Sequence, residues 1–444
     1  MTRLNNKISK YNFFKGHPSP YLLPTKEVLE AANTSFQKVI DNPFFYNDVD
    51  DRHPLTYGTD PGNLEVRSAI AKWNDRNFKL TTPTNPDSIN LTGGASYGIM
   101  NILTQTTSPH NNYTKQAFLV TPTYFLINGA FIDAGFGGKL TGVEEFSNGD
   151  IDLEFLESKI KYFNSLDTST DEEKLAKLSI IKDTTRVEKK IYQYVLYIIP
   201  NFSNPKGGIL SDHCKTELVN LARKYDMLII ADDVYDILDY SKPYNETPNY
   251  HKKLVYVDRE TMKDPENDYG NTISNGTFSK LIGPGLRVGW QESVNPRLAN
   301  ILAAGGAHRS GGSPSQANTV IVGELLQSGS LDKIISNLRK VYSERAKTLV
   351  ESVKEFLPQG TKISGGGGGY FFWITLPKGY DCRKVCEECD MRGVVLANGD
   401  HFEVIGDSRN WGDSSVRISI SVLNNDEIKN GVKIWGEVCK ELYP

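Results

Sequence analysis

The chain has 444 residues, of which 39% are hydrophobic and 23% are charged, and its net charge at pH 7 is −4. This balance is typical of a soluble globular protein and excludes the basic surface with which proteins bind nucleic acid or anionic membranes. No apolar run reaches the roughly 18 residues of a membrane helix, and the N-terminus lacks the features of a secretory signal or a transit segment, so we expect a cytoplasmic protein.

The first part of the chain contains an arm, a helix and a turn. Residues 15–24, KGHPSPYLLP, carry three prolines and therefore predict an extended arm. The apolar spacing of Pro24–Ile40 predicts an amphipathic helix. Tyr57–Arg67, YGTDPGNLEVR, predicts a turn that enters a second helix.

A glycine turn follows the first predicted strand. Ile89–Leu91 runs into Thr92-Gly-Gly-Ala-Ser, and a helix is predicted to begin near Tyr97. Unpaired backbone N–H groups and the helix dipole converge at such a junction, which favours an anion site around Gly94, Ala95 and Ser96. An ordinary helix cap is the alternative.

Two further strands end in polar or aromatic residues. Ala117–Phe125 is predicted to be a buried strand whose proline turn exposes an aromatic side chain, Tyr124. Tyr194–Ile199 leads to Asn204, which the following proline forces into extended backbone, so that its amide can point out of the strand end. Between these strands, residues 161–190 are charged with mixed signs and predict a solvent-exposed insertion.

The apolar run Met227–Ala231 ends in two acids, Asp232 and Asp233. A carboxylate at the end of a buried strand needs a cationic partner, since an unpaired one would be protonated or destabilising. We expect Asp232 to face such a cation and Asp233 to be a solvated neighbour. Two solvated acids are the alternative.

The stretch Asn275–Trp290, NGTFSKLIGPGLRVGW, places Lys280 beside hydroxyl side chains and before a Gly-Pro-Gly turn. A lysine amine condenses with an aldehyde when a pocket excludes water and adjusts its protonation. The turn allows Arg287 to return towards the lysine and bind a phosphate with its planar charged fork. A solvated lysine on a glycine-rich loop is the alternative.

The last part of the chain supplies another candidate cation. Ala303–Gln316 contains HRSGGSPSQ and predicts a flexible loop, whereas Ser415–Ser421, SVRISIS, alternates as a strand does. Arg417 in this strand requires an anion, for which a carboxylate is suited, although a surface salt bridge would also satisfy it. Asn424–Leu442 predicts a closing amphipathic helix.

Five cysteines, an odd number in a long chain, argue against a disulfide framework. Cys382, Cys386 and Cys389 have the C-x3-C-x2-C spacing found in radical enzymes with an iron–sulfur cluster. The same spacing places three thiols on one helical face, where they would pack as small apolar residues.

These stretches, in this order, resemble those of fold-type-I pyridoxal-phosphate aminotransferases of class I and II, and within them the subgroup of 2-aminoadipate, kynurenine and aromatic aminotransferases. The resemblance covers the chain from Gly16 to Arg417. It implies that Lys280 binds the aldehyde of pyridoxal 5′-phosphate and moves the proton during catalysis. No metal is implied.

The resemblance also implies the other contacts of the site. Cofactor contacts fall to Gly94, Ala95 and Ser96 with Thr277 and Arg287 at the phosphate, Tyr124 stacked on the ring, Asp232 at the ring nitrogen, and Asn204 with Tyr235 at the ring oxygen. Tyr57 would reach the phosphate of the partner subunit in a homodimer, and an ordinary interface tyrosine is the alternative.

Substrate contacts are implied for Gly16 and Asn204, and for Arg417 at the α-carboxylate. We further expect Arg309 to bind a distal carboxylate, with a solvated loop arginine as the alternative. The substrates would be large amino acids, such as 2-aminoadipate or aromatic ones, and 2-oxo acids such as 2-oxoglutarate. A β-lyase on the same fold and a non-catalytic cofactor-binding regulator stay open at this point.

The alternation of strands and helices predicts an α/β protein with a three-layer α/β/α large domain, a mostly parallel sheet and a smaller α+β domain. We expect the N-terminal arm and helix (residues 1–55) to belong to the small domain, residues 56–313 to form the large domain, and residues 314–444 to complete the small one.

Overall fold

A computed structural model describes residues 11–182, 185 and 188–444. The strands within these ranges are β1 (Tyr11–Asn12), β2 (Ile89–Thr92), β3 (Gln116–Thr121), β4 (Leu140–Glu144), β5 (Tyr194–Ile198), β6 (Met227–Asp232), β7 (Thr272–Thr277), β8 (Gly289–Ser293), β9 (Lys362–Gly365), β10 (Phe371–Thr375), β11 (Val394–Val395), β12 (Ala397–Asn398) and β13 (Ser415–Ser419).

The helices in the same ranges are α1 (Thr25–Asp41), α2 (Leu64–Phe78), α3 (Ala95–Thr106), α4 (Ile127–Phe131), α5 (Leu153–Leu166), α6 (Asp171–Ser179), α7 (Asp212–Lys224), α8 (Leu254–Thr261), α9 (Pro296–Ala303), α10 (Gly306–Gly311), α11 (Gln316–Gln327), α12 (Ser330–Phe356), α13 (Cys382–Met391) and α14 (Asn425–Leu442). None of these helices is long and apolar enough to cross a membrane.

The large sheet has seven strands in the order β2-β8-β7-β6-β5-β3-β4. All neighbouring strands run parallel except β8, which is antiparallel to both β2 and β7. Successive residues of β6 face two different hydrophobic cores: Leu228 and Ile230 lie in one, Met227 and Ile229 in the other. This alternation explains the continuous apolar run of the strand, since both faces of the sheet are covered.

The smaller sheet is antiparallel, with the order β12-β13-β10-β9, and α12, α13 and α14 pack together beside it. β1 pairs in parallel with β11, so the described start of the chain is held by its C-terminal part. The predicted α/β class, with a mostly parallel sheet in the large domain and a smaller α+β unit, is confirmed. The boundaries at residues 55 and 313 stay predictions.

Three local expectations were wrong. Helix α3 begins at Ala95 rather than near Tyr97, and the expected loop 303–316 contains the short helix α10. Asp233, expected to be solvated, is only 3% exposed because it follows β6 into the protein interior.

In the expected insertion 161–190, α5 continues to Leu166 and α6 buries none of its residues. Residues 183, 184, 186 and 187 of that insertion lie outside the described residues.

The cysteine cluster lies on α13, as the helical interpretation of its spacing predicts. Cys382 and Cys389 are fully buried in the main core, whereas Cys386 is partly exposed. Burial raises the pKa of all three thiols, so each is protonated at neutral pH and packs as an apolar group. Within the described ranges, no three His, Cys, Asp or Glu side chains are placed to hold a metal ion.

Candidate active site

A cavity of about 470 Å³ lies at the C-terminal ends of the parallel strands. Segments that follow β3, β5, β6 and β7 form its floor, the loop before α3 forms one side, and β10, β13 and the N-terminal arm close it from the small domain. This edge of a parallel sheet is where α/β proteins bind ligands. The sequence-predicted residues that line it are Gly16, Ala95, Ser96, Tyr124, Asn204, Asp232, Tyr235, Thr277, Lys280, Arg287 and Arg417.

Lys280 projects into this cavity from the segment after β7. Its Nζ donates a hydrogen bond to the backbone oxygen of Gly16 at 3.0 Å. The rings of Tyr370 and Tyr235 lie 5.6 and 6.0 Å from the same nitrogen. Burial, aided by the charge of Arg417 and opposed by Asp232, lowers the pKa of Lys280 to about 8. About a tenth of the amine is therefore uncharged, and nucleophilic, at pH 7, far more than in a solvated lysine.

Asp232 is the last residue of β6 and is 4% exposed. Tyr197 donates to one carboxylate oxygen at 2.8 Å, and the Asn275 amide donates to the other at 2.8 Å. Burial raises the pKa of Asp232 to about 6, while these hydrogen bonds and the charge of Lys280 oppose the rise. A cation placed against this carboxylate would favour its ionised form.

A cradle for an anion lies at the N-terminus of α3. Gly94 adopts a φ of 95°, and a Cβ atom there would lie 2.8 Å from Nη2 of Arg287. Only glycine therefore allows the guanidinium to approach this backbone so closely. Thr277 and Ser279 stand beside it, with their hydroxyl oxygens 2.9 Å apart. Helix N–H groups, hydroxyls and a permanent cation together suit a phosphate.

Arg417 extends from β13 towards the cavity and is 2% exposed. It donates to the Asn204 side-chain oxygen at 3.1 Å and to the backbone oxygen of Phe14, while its Nε lacks a hydrogen-bond partner among the described residues. Its guanidinium carbon lies 4.2 Å from the centre of the Phe371 ring. Burial lowers the pKa of Arg417 to about 10, so the side chain stays charged and can bind a carboxylate.

Three aromatic side chains complete the walls. Tyr235 is buried with its ring 5.7 Å from that of Phe371, in an edge-on arrangement, and burial raises the pKa of its hydroxyl. Tyr124 lines the cavity where β3 ends, and burial raises the pKa of this hydroxyl as well. Both phenols are therefore hydrogen-bond donors at neutral pH.

Tyr57 and Arg309 do not reach this cavity within one chain. The Tyr57 side chain is 75% exposed, and its ring lies beside Gly311 at the end of α10. Arg309, on the same short helix, is also exposed. The two residues thus share one surface of the molecule, away from their own site.

Sequence analysis did not identify the residues that hold the cavity-lining side chains in position. Tyr197 and Asn275 hold Asp232, Tyr370 donates to the backbone oxygen of Lys280 at 3.0 Å, and Phe371 lies against both Gly16 and Arg417. Side chains alternate between the two faces of a strand, so the sequence of β5 could have shown that Tyr197 shares a face with Ile199, next to the segment that leads to Asn204. Phe371 gave no such signal, since its role depends on the position of the arm.

These groups fit pyridoxal 5′-phosphate. Lys280 offers an amine for an aldehyde, the Gly94 cradle with Arg287 offers a phosphate site, and buried Asp232 faces the cavity without a salt bridge from the described residues. Arg417, which also forms no salt bridge within the described ranges, leaves a second anion site for a substrate.

Comparison with known proteins agrees with this assignment. The family model described as aminotransferase class I and II matches residues 20–434. The chain belongs to this family and is a pyridoxal-phosphate-dependent transaminase.

Relatives extend over nearly the whole chain. An uncharacterised protein of Saccharomyces cerevisiae is 48% identical over 98% of this chain and 98% of its own length. Aromatic-amino-acid aminotransferase 1 of Thermococcus litoralis is 27% identical over 96% of this chain and 87% of its own. The crystal structure of Pyrococcus horikoshii kynurenine aminotransferase has the same fold, with a TM-score of 0.74 and 24% identity over 98% of this chain and 91% of that one.

Proposed function

We propose that the enzyme transfers the amino group of an L-amino acid with a large side chain, aromatic or 2-aminoadipate-like, to a 2-oxo acid such as 2-oxoglutarate. The observation that carries this proposal is the buried Arg417, which faces the cavity among aromatic rings. The Arg417 guanidinium can anchor the α-carboxylate of the substrate, and the aromatic rings around it suit an apolar side chain.

In the proposed reaction, the bound cofactor supplies an electron sink for the bond that breaks at the substrate Cα. Lys280 would hold the cofactor through its aldehyde, and its amine, when free, would accept the proton that leaves the substrate Cα. Arg417 and Asn204 hold the α-carboxylate so that the Cα–H bond lies near Lys280. Asp232 would favour a proton on the cofactor ring nitrogen, while Arg287, Ser96 and Thr277 would hold the phosphate.

The preference for a large side chain is supported by an aromatic group at the cavity wall. The ring of Phe14 lies 5.9 Å from that of Phe125 and 5.1 Å from that of His401. Phe125 lies 6.1 Å from Phe402, whose ring is 4.8 Å from the Arg417 guanidinium. A substrate ring beside this group would gain both apolar burial and edge-on aromatic contacts. The Thermococcus relative, by its name, acts on aromatic amino acids.

A dicarboxylic partner substrate needs a further cation, and we assign this role to Arg309 of the partner subunit in a homodimer. Tyr57 and Arg309 share one exposed surface, and the segment that leads to Tyr57 carries exposed apolar side chains at Phe44, Val49 and Leu55. Exposed apolar side chains of this size favour burial against a second copy of the chain. If Tyr57 reaches the partner's phosphate, Arg309 enters the same site. A cytoplasmic location also stays a prediction.

The test is a panel of amino acids with 2-oxoglutarate, with the 2-oxo acid products quantified by mass spectrometry. Phenylalanine, tyrosine and 2-aminoadipate should give higher kcat/KM than alanine or aspartate, and a preference for the small substrates would overturn the proposal. Arg309→Ala should lower kcat/KM for 2-aminoadipate by about tenfold, as expected from a lost charge-assisted hydrogen bond, and leave phenylalanine nearly unchanged. Equal losses would show that Arg309 acts on the fold or on the phosphate site.

A further inference from the structure

Two consecutive carboxylates at the end of β6 are held on opposite sides of the sheet. Asp232 lines the cavity, whereas Asp233 points away from it, as expected for neighbouring residues of a strand. Strand β7 binds both: Asn275 donates to Asp232 at 2.8 Å, and the Ser274 hydroxyl donates to Asp233 at 2.5 Å. The backbone N–H of Asp233 also donates to the Asn275 oxygen at 3.1 Å. Adjacent residues of β7 therefore fix the positions of both side chains.

The surroundings of Asp233 contain two lysines that are 0% exposed, Lys253 and Lys215. Lys253 Nζ lies 3.0 Å from an oxygen of Asp236, and Lys215 Nζ lies 3.6 Å from an oxygen of the exposed Asp212. Burying an ammonium group is costly unless negative charge lies nearby. Both lysines interact electrostatically with Asp233, which compensates part of this cost.

Asp233 itself is incompletely paired. Its Oδ1 has no hydrogen-bond partner among the described residues. Burial raises the pKa of Asp233 to about 7, against the charge of Lys253 and the Ser274 hydrogen bond, while Asp236 and Asp232 raise it further. A cation bound at Asp232 would lower it again, because both carboxylates would then share one more positive charge. The groups that face Asp233 are Asp232, Asp236, Lys253, Lys215, Ser274 and Tyr256.

We propose that Asp233 is a positioning residue whose charge acts through Asp232 to raise the proton affinity of the cofactor ring nitrogen. The charges of Lys253 and Lys215 favour the ionised form of Asp233 against its burial, so that a second negative charge, beside that of Asp232, would favour the protonated nitrogen. This inference rests on the role proposed above for Asp232.

The test measures the ring nitrogen directly, by NMR of the holoenzyme loaded with ¹⁵N-labelled cofactor and titrated with alkali. Asp233→Asn keeps the size of the side chain and an acceptor for Ser274 but removes the charge. In Asp233→Asn, the pH midpoint at which the nitrogen loses its proton should be roughly one unit lower than in wild type, which is the effect of one nearby charge in a protein. The midpoint of the variant should then lie within the pH range of the titration. A midpoint within about 0.2 unit of wild type, or a nitrogen that stays protonated throughout in the variant, would overturn the proposal.

Asp236→Asn is the matched control, because it removes a buried carboxylate from the same cluster while leaving Asp233 to pair with Lys253. It should lower the melting temperature but shift the nitrogen midpoint much less than Asp233→Asn, and equal shifts would assign the effect to general loss of charge. Asp232→Asn tests the proposed role of Asp232 separately. In this variant the cofactor ring nitrogen should be unprotonated at neutral pH, and a nitrogen that stays protonated would refute the role of Asp232 itself.

Discussion

Replacing Gly16 by alanine should damage substrate binding through a contact that lies outside the reacting groups. An added Cβ would lie 2.6 Å from the ring carbon Cζ of Phe371. Ordinary carbon contacts are about 3.5–4.0 Å, so the ring or the arm must move by roughly 1 Å. The same ring lies 4.2 Å from the Arg417 guanidinium, and the Gly16 oxygen accepts from Lys280. Since displacements of about 1 Å can cost on the order of 100-fold, we expect kcat/KM to fall by 10- to 100-fold.

The assay is the rate at which an amino acid bleaches the visible absorbance of the bound cofactor, measured by stopped flow with phenylalanine. Cofactor affinity should stay close to wild type, because the phosphate cradle is not altered. Gly129→Ala is the control: it lies on α4, and a Cβ there meets no atom within 4 Å. Wild-type kinetics for Gly16→Ala would refute the reasoning, since the arm could not then lie against Phe371 in the working enzyme.

Three further outcomes are expected. Asp232→Asn keeps acceptors and donors near Tyr197 but loses the charge, so the same bleaching rate should fall by about 10- to 100-fold, the value of a charge-assisted hydrogen bond; an unchanged rate would contradict this. In the apoprotein, acylation of Lys280 followed by mass spectrometry should have a midpoint near pH 8, since burial lowers its pKa to about 8, and a midpoint near 10.5 would show a solvated amine. Mixed dimers of Tyr57→Phe and Lys280→Ala subunits, both inactive alone, should recover activity at one site if Tyr57 serves the partner, whereas verified hybrids without activity would exclude a shared site.

Patterns of consecutive residues were enough to predict segments that the structure places around one cavity. The glycine turn before α3, the Asn204-Pro205 pair and the Lys280 segment each combine a residue type with a backbone constraint, and the structure brings all three to one cavity. Asp232 was found by the same logic, because an apolar strand that ends in an acid raises the question of its partner.

Burial and short helices were not predicted where they depend on contacts between segments that are distant in the sequence. Asp233 has the same local sequence context as Asp232, and its burial depends on tertiary packing, including α7 and the segment before α8, which carry the buried Lys215 and Lys253. Residues 303–316 are rich in glycine and serine, yet α10 forms there against Tyr57. The boundary of α3 was misplaced because Ala95 and Ser96, assigned to the anion turn, already belong to the first helical turn.

The backbone contacts of the arm have a consequence for how the enzyme is made. The oxygen of Phe14 accepts from a residue 403 positions later in the chain, and that of Gly16 from one 264 positions later. On a ribosome, synthesis at about 5–20 residues per second leaves the Phe14 oxygen without its donor, Arg417, until nearly the whole polypeptide has emerged. A nascent chain can therefore assemble its large sheet and its lysine early, but it completes the substrate site only when β13 arrives. A chain that terminates before β13 lacks Arg417 and the strand that carries it, and therefore lacks the proposed anchor of the substrate carboxylate.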